Sequence, residues 1–91
     1  MMRKFTEKNF GRVFVLNFDR DEKLLEGIYG FLEKEQVKNA VVLSGIGSLQ
    51  KAVFHRVLDT GPVPNDEFVT IEKPMELASL QGIVVNGEPH I

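Results

Sequence analysis

The stretch Ala40–Phe54, A-V-V-L-S-G-I-G-S-L-Q-K-A-V-F, constrains the fold more than any other part of the chain. Residues 41–43 form a short apolar run rich in β-branched side chains, which is typical of a strand covered on both faces. Gly45 and Gly47 follow, and glycine permits bends and close approaches that a Cβ prevents. Because Ala52–Leu58 again has strand composition, the stretch predicts two strands joined by a tight glycine turn.

A helix is predicted upstream of this stretch. Asp19 is placed as its N-cap, with Glu22 at the third helical position as an acidic variant of the capping box, and the helix is expected to run to about Gln36. Gly27 and Gly30 share one side of it and either allow close approach to a sheet or are tolerated surface glycines. One helical face collects the apolar residues Leu24, Leu25, Ile28, Phe31 and Leu32.

Four further segments are expected to be strands. Residues 3–8 predict an edge strand and residues 12–18 a well-buried one. After the loop at residues 59–66, the alternation of residues 67–72 predicts another strand. Residues 75–85 are assigned to one strand with a kink at its single glycine, and a helix over residues 75–80 is the competing interpretation.

Asn86-Gly87 is a strong signal for a type I′ hairpin turn, in which both central residues have positive φ. Only Glu88–Ile91 follow it, so the last complete strand is expected to lack a full partner. Another subunit would then supply that partner, or the chain shown is a fragment.

Length and composition limit the possible classes. With 91 residues the chain is expected to be one domain. Its net charge of −2 provides no general attraction to nucleic acid or to an anionic membrane. It has no cysteine, and its N-terminus lacks the apolar region of a signal peptide. No apolar run in the sequence is long enough to span a bilayer. These features predict a soluble protein of the cytoplasm.

The glycine turn is the first candidate site. A dinucleotide fingerprint would need a third glycine where Gln50 stands, and a helix where a strand is predicted, so a nucleotide site is rejected. Ser44 and Ser48 flank the turn, but no nucleophile elbow surrounds them. We therefore interpret Ser44, Gly45, Gly47 and Ser48 as a ligand-binding or interface turn and assign no catalytic residue and no cofactor-binding residue.

The two histidines are the second candidate. His55 lies in a predicted strand and is interpreted as a surface or packed residue. His90 follows Gly87-Glu88-Pro89 near the end of the printed sequence and is the one candidate metal ligand. Because a zinc site needs three or four ligands, His90 cannot make a site alone.

Three segments together resemble the domain called PPC, for plants and prokaryotes conserved, in its stand-alone prokaryotic form. The first is Gly11-Arg12-Val13-Phe14-Val15-Leu16 with the helix that follows. The second is Val41-Val42-Leu43-Ser44-Gly45-Ile46-Gly47-Ser48-Leu49. The third is Pro74-Met75-Glu76-Leu77-Ala78-Ser79-Leu80-Gln81-Gly82, ending in Gly87-Glu88-Pro89-His90.

The resemblance implies an α/β (α+β) fold, a mostly antiparallel β-sheet with one main helix packed on it, assembled as a homotrimer. It also implies a role beside DNA or DNA-binding proteins, because plant members carry AT-hooks and mediate association among subunits and with transcription factors. No AT-hook motif occurs in this chain.

Family members also continue beyond the position of Ile91 with a His-x-His segment, where a metal such as zinc could bind. Residues 1–91 are therefore expected to be one domain lacking its C-terminal third. Two functions remain open: a regulatory oligomeric module without an AT-hook, and a metal-dependent enzyme or small-ligand binder that uses the histidines near His90.

Overall fold

The computed structural model describes residues 2–4, 6, 9–63 and 65–91 of the chain. Within them it has one helix and a set of short strands, all paired antiparallel, so the predicted α+β class with mainly strands is confirmed. The elements in chain order are α1 (Leu24–Lys34), β1 (Ala40–Val42), β2 (Gly47–Leu49), β3 (Ala52–Val57), β4 (Asp66–Ile71), β5 (Met75–Leu77), β6 (Gly82–Val85) and β7 (Glu88–His90).

Two of the three sheets are parts of one long antiparallel pairing. Val42 lies opposite Gly82 where β1 pairs with β6, and Gly47 lies opposite Leu77 where β2 pairs with β5. Four residues separate the two ladders on each side, residues 43–46 and residues 78–81, so the register continues unchanged across the gap. We call these two four-residue segments together the sheet break.

The prediction of one strand over residues 75–85 is therefore wrong. β5 and β6 belong to different sheets, with the sheet break between them, and the competing helix over residues 75–80 is also wrong. Gly82 is not a kink inside a strand but the first residue of β6.

The Asn86-Gly87 turn is confirmed. Asn86 has φ 52° and Gly87 has φ 79°, as a type I′ turn requires. The turn joins β6 to β7, and the Gly87 N–H donates a hydrogen bond of 2.7 Å to the carbonyl of Lys38. The expectation that the last full strand lacks a partner is wrong, because β6 lies between β1 and β7.

β3 and β4 form a separate two-stranded sheet, which we call the ribbon. Its register runs from Ala52 opposite Ile71 to Val57 opposite Asp66. Beyond these pairs, the Leu58 N–H donates a hydrogen bond of 2.6 Å to the carbonyl of Asn65. Both strands are confirmed to within one residue of their predicted bounds.

The helix starts later than predicted. The bond expected of a capping box does form, since the Asp19 N–H donates to Glu22 Oε2 at 2.7 Å. However, Asp21 has φ 68°, which no α-helix accommodates, and the helix begins only at Leu24. Asp19–Glu22 is a separate turn, and Lys23 stands at the N-cap without a side-chain cap.

The N-terminal apolar segment is not a strand. Residues 12–18 have no strand pairing, and Val13 and Val15 are 71% and 94% exposed, so the expected buried strand is wrong. Strand composition alone does not bury a segment that has no partner strand. In the predicted edge strand at residues 3–8, Arg3, Lys4 and Thr6 are also outside any strand, and the other residues of that prediction lie outside the described part of the chain.

β1 is not covered on both faces. It is an edge strand of its sheet, and Val41 is 56% exposed. Among the described residues only Ile28 and Val84 are buried hydrophobic residues, one on the helix and one on the central strand β6. The described residues therefore contain a very small core.

The molecule is also extended. Its Cα radius of gyration is 15.7 Å, whereas a compact chain of this length has about 12 Å. It exposes 8501 Å² of surface, and a compact protein of its mass exposes about 5,400 Å². No helix in the described ranges is long and apolar enough to cross a membrane.

Candidate functional site

The sheet break contains Ser44 and Gly45 of the predicted site. Gly47 and Ser48 were predicted to lie in the same turn, but they lie in β2 next to the break. Gly45 lies so close to the opposite segment that a Cβ on it would approach the Leu80 Cβ to 2.9 Å and the Leu80 Cδ2 to 3.2 Å. Such distances are too short for an unadjusted contact between carbon atoms. Glycine is therefore required at residue 45 by close approach across the break, which agrees with its predicted importance.

The two serines lie on either side of this contact. Ser44 is exposed in the break itself, and Ser48 is exposed in β2, opposite Glu76 of β5. Neither hydroxyl hydrogen-bonds to another described side chain or backbone group. The serines thus present polar groups to solvent at the break, and no described base lies in hydrogen-bond contact to activate either of them.

His90 lies near the same end of the three-stranded sheet. It is exposed on β7 and pairs with Ile83, which is next to Gly82, the first residue of β6 after the break. A Cβ on Gly82 would lie 2.6 Å from the His90 carbonyl oxygen, so this glycine permits the close approach of β7. The topology therefore places Ser44, Gly45 and His90 at one end of the sheet.

His55 is not part of this group. It lies on β3 in the ribbon, where its ring contacts Phe68 edge to face with centroids 5.8 Å apart. This placement agrees with its interpretation as a surface residue. The two histidines are in different sheets, and the strand pairing does not bring them together as ligands of one metal ion.

A metal site requires convergent donors, and the described residues do not provide them. No group of three or more His, Asp or Glu side chains in the described ranges could hold a metal ion. Since zinc takes at least three protein ligands, His90 and its described neighbours do not fit this role. His90 as a metal ligand remains a prediction of the sequence.

The sequence did not reveal an apolar cleft of about 680 Å³ beside the helix. Phe14 of the N-terminal segment packs edge to face on Phe31 of α1, with centroids 4.8 Å apart, and forms one side. The residues of β1 and the buried Val84 also line the cleft. Residues 12–18 were expected to be a buried strand, and that expectation concealed the cleft. The apolar pattern of this segment was the only feature of the sequence that could have indicated the cleft.

Leu80 was also missed as a site residue. The sequence marks it only as one apolar position in the S-L-Q-G segment. Its role depends on the equal lengths of the two segments of the break, which place it against Gly45.

Three of the ten described lysines and arginines form ion pairs. Arg56 forms a short ion pair with Glu67 at 2.6 Å, Lys51 lies 3.3 Å from Glu72, and Arg12 lies 3.5 Å from Glu35. A second, shallow depression is lined by Arg20, Gln50, Lys51, Glu72, Lys73 and Pro74. Its three cations are solvent-exposed and share space with the Glu72 carboxylate.

Comparison with known proteins gives one result. No curated protein and no solved structure matches the chain. A family model described as the Plants and Prokaryotes Conserved (PCC) domain matches residues 5–91, which is nearly the whole chain. Two of the three segments that carry the resemblance, around Gly45 and around Leu80, also meet in the structure at the sheet break. The chain belongs to the Plants and Prokaryotes Conserved (PCC) domain family.

Proposed function

We propose that this chain is a self-associating regulatory module, a homotrimer that acts beside DNA-binding proteins rather than on DNA itself. The observation that carries the proposal is the amount of apolar surface that a single chain leaves exposed. Large apolar side chains are exposed in the N-terminal segment, on β1, in the break and on the ribbon. Apolar surface that a single chain leaves exposed is a candidate for an interaction site.

The surface excess is large enough for a stable interface. One chain exposes about 3,000 Å² more than a compact protein of 10.3 kDa. A standard protein–protein interface buries about 800 Å² on each partner. The excess area is therefore large enough for contacts with more than one neighbour. Each subunit of a ring has two such contacts. The number three comes from the family resemblance.

A test of assembly is light scattering on the eluting protein at micromolar concentration. We expect a mass close to three times that of one chain. A mass of one chain would contradict the proposal, because the exposed surface would then persist in solution without a partner.

Direct DNA binding is not part of the proposal. The net charge is −2, no AT-hook is present, and three of the described cations lie against carboxylates. Nucleic-acid affinity depends on cations that neutralise phosphates. We expect only weak binding of duplex DNA that disappears as salt rises to the physiological range, measured by a mobility-shift titration. Tight, sequence-selective binding at physiological salt would overturn this part.

The alternative of a metal-dependent enzyme or small-ligand binder rests on histidines near His90. In the described ranges no observation favours it, since His90 has no convergent donors. We do not advance it as a second function. Elemental analysis after dialysis tests it independently: one zinc retained per chain would move it ahead of the regulatory function.

A further inference from the structure

We propose that Asn86 is a site of spontaneous deamidation and that the folded turn between β6 and β7 suppresses the reaction. The products are aspartate and isoaspartate at residue 86, formed without an enzyme. Modification then marks chains in which this turn has opened. The proposal is carried by the dipeptide Asn86-Gly87 together with the hydrogen bonds that hold its two backbone N–H groups.

The reaction joins atoms of two neighbouring residues. The backbone nitrogen of Gly87 loses its proton to hydroxide and attacks the side-chain carbonyl carbon Cγ of Asn86. A bond forms between these atoms, and the side-chain amide group takes a proton from water and leaves as ammonia. Water then opens the resulting cyclic imide at either of its carbonyl carbons, which gives aspartate or isoaspartate. Glycine has no Cβ to obstruct the attack, and Asn86 is the asparagine that glycine follows in this sequence.

The fold engages the attacking group. The Gly87 N–H donates a hydrogen bond of 2.7 Å to the carbonyl of Lys38. The proton that must leave is therefore shared with an acceptor, and removing it requires that this bond break first. The side chain of Lys38 also lies beside the turn, because a Cβ on Gly87 would be 3.6 Å from its Cδ. Attack on Asn86 thus requires the turn to separate from residue 38.

The N–H of Asn86 is held as well. It donates a hydrogen bond of 3.2 Å to Oδ1 of Asn39, the residue before β1. The φ angles of 52° at Asn86 and 79° at Gly87 are those of a type I′ turn. With both N–H groups bonded to adjacent residues, the backbone of Asn86 has little freedom to rotate its side chain and the Gly87 nitrogen toward one another.

Access of solvent does not limit the reaction. Asn86 and Gly87 are both exposed, so water and hydroxide reach them in the folded chain. The hairpin can also open locally, because β7 is a three-residue edge strand that pairs only with β6 among the described strands. The rate of deamidation should then follow the fraction of chains in which the turn is open.

Modification makes this opening irreversible. Isoaspartate continues the main chain through the side-chain carbon atoms, which adds one backbone atom between residues 86 and 87. A two-residue type I′ turn has no place for an additional atom. β7 can therefore not return to the register in which Glu88 lies opposite Val85. The strand that carries His90 is the part of the sheet affected.

The first experiment compares the folded chain with the same chain unfolded in urea, at one mildly alkaline pH and one temperature. Peptide mapping by mass spectrometry measures the fraction of Asn86 that is converted over time. We expect conversion to be at least about tenfold slower in the folded chain, because the open turn is a minor population there. Equal rates in the two conditions would overturn the inference.

The second experiment is the substitution Asn39→Ala, which removes one of the two hydrogen bonds and leaves Asn86 and Gly87 unchanged. We expect conversion of Asn86 to become about threefold faster. Asn17→Ala is the matched control, because Asn17 is also exposed but lies far from the turn in sequence and outside any strand. It should convert as the unchanged chain does. No acceleration by Asn39→Ala, or equal acceleration by both substitutions, would count against the inference.

A third measurement needs no variant and therefore does not depend on how a substitution affects folding. Hydrogen exchange followed by nuclear magnetic resonance reports directly on the Gly87 N–H of the unchanged chain. We expect this amide to exchange at least about tenfold more slowly in the folded chain than in the unfolded chain, since it is bonded to the carbonyl of Lys38. An amide that exchanges equally fast in both states would contradict the proposed suppression.

Discussion

Gly45 is the residue on which the geometry of the sheet break depends. Its backbone needs no positive φ, so the requirement for glycine comes from the neighbouring Leu80 and not from the Ramachandran map. Gly87 is the opposite case. Its φ is 79°, while a Cβ on it would meet nothing closer than 3.6 Å. The two glycines therefore resist substitution for different physical reasons, and each reason gives its own prediction.

Gly45→Ala should lower the free energy of unfolding by about 1–3 kcal/mol, because its methyl group overlaps Leu80. Urea denaturation measures the loss. The control is the same change in a Leu80→Gly background, where the Leu80 Cβ and Cδ2 that the new methyl group would meet are both absent. We expect the second substitution to recover part of the loss, giving a clear coupling in the double-mutant cycle. Strict additivity would show that the two residues do not touch.

Gly87→Ala should lower the free energy of unfolding by about 1–2 kcal/mol through the left-handed backbone alone. Gly11→Ala is the matched control, since Gly11 has neither a positive φ nor a neighbour within 4 Å of an added Cβ. It should change stability by less than about 0.5 kcal/mol. Equal effects in urea denaturation would argue against a type I′ turn at residues 86 and 87.

At the scale of single elements, α1 shows two glycines with different surroundings. A Cβ on Gly27 would lie 2.5 Å from the Phe18 ring, whereas a Cβ on Gly30 would meet nothing within 4 Å. The sequence left close approach and tolerance open for both. In the structure Gly27 has a close neighbour, but it is Phe18, which lies outside any strand, and not the expected sheet; Gly30 is the tolerated glycine.

Gly30→Ala should raise the free energy of unfolding by about 0.5–1 kcal/mol, because alanine is the better helix former and has room. Gly27→Ala should give no such gain and is expected to destabilise, since the Phe18 ring must move. Thermal unfolding followed by circular dichroism compares the two. A similar gain from both would mean that Phe18 does not pack on the helix.

Local patterns predicted some elements well and others poorly. β3, β4 and the turn at residues 86 and 87 follow from alternation and turn chemistry, which act between neighbours in sequence. The N-terminal segment at residues 12–18 has an equally apolar pattern but no strand partner in the structure. The early helix start was wrong because the positive φ of Asp21 is not encoded in a capping pattern.

Only one of the two segments that meet at the sheet break could be predicted from the sequence as a candidate site. The motif that contains Ser44, Gly45, Gly47 and Ser48 is visible in the sequence, and in the structure a Cβ on Gly45 would overlap Leu80. Its partner Leu80 is not visible, because the contact depends on two segments of equal length separated by many residues. Which residues pair across such a distance is decided by the register of the strands, and the sequence of either segment alone does not show it.

At the scale of the whole molecule, the small core and the large exposed surface limit the stability of a single chain. Only Ile28 and Val84 are buried hydrophobic residues among those described, so a single chain buries little apolar surface to offset the entropy of folding. In the proposed homotrimer, association with further copies would add the missing burial. Stability and assembly should then be linked by mass action.

Urea denaturation at several protein concentrations tests this link most directly. The account predicts that the midpoint rises steadily as the concentration increases a hundredfold, because assembly stabilises the folded chain and not the unfolded one. A midpoint that stays constant over that range would contradict the account, since the folded chain would then owe none of its stability to another copy.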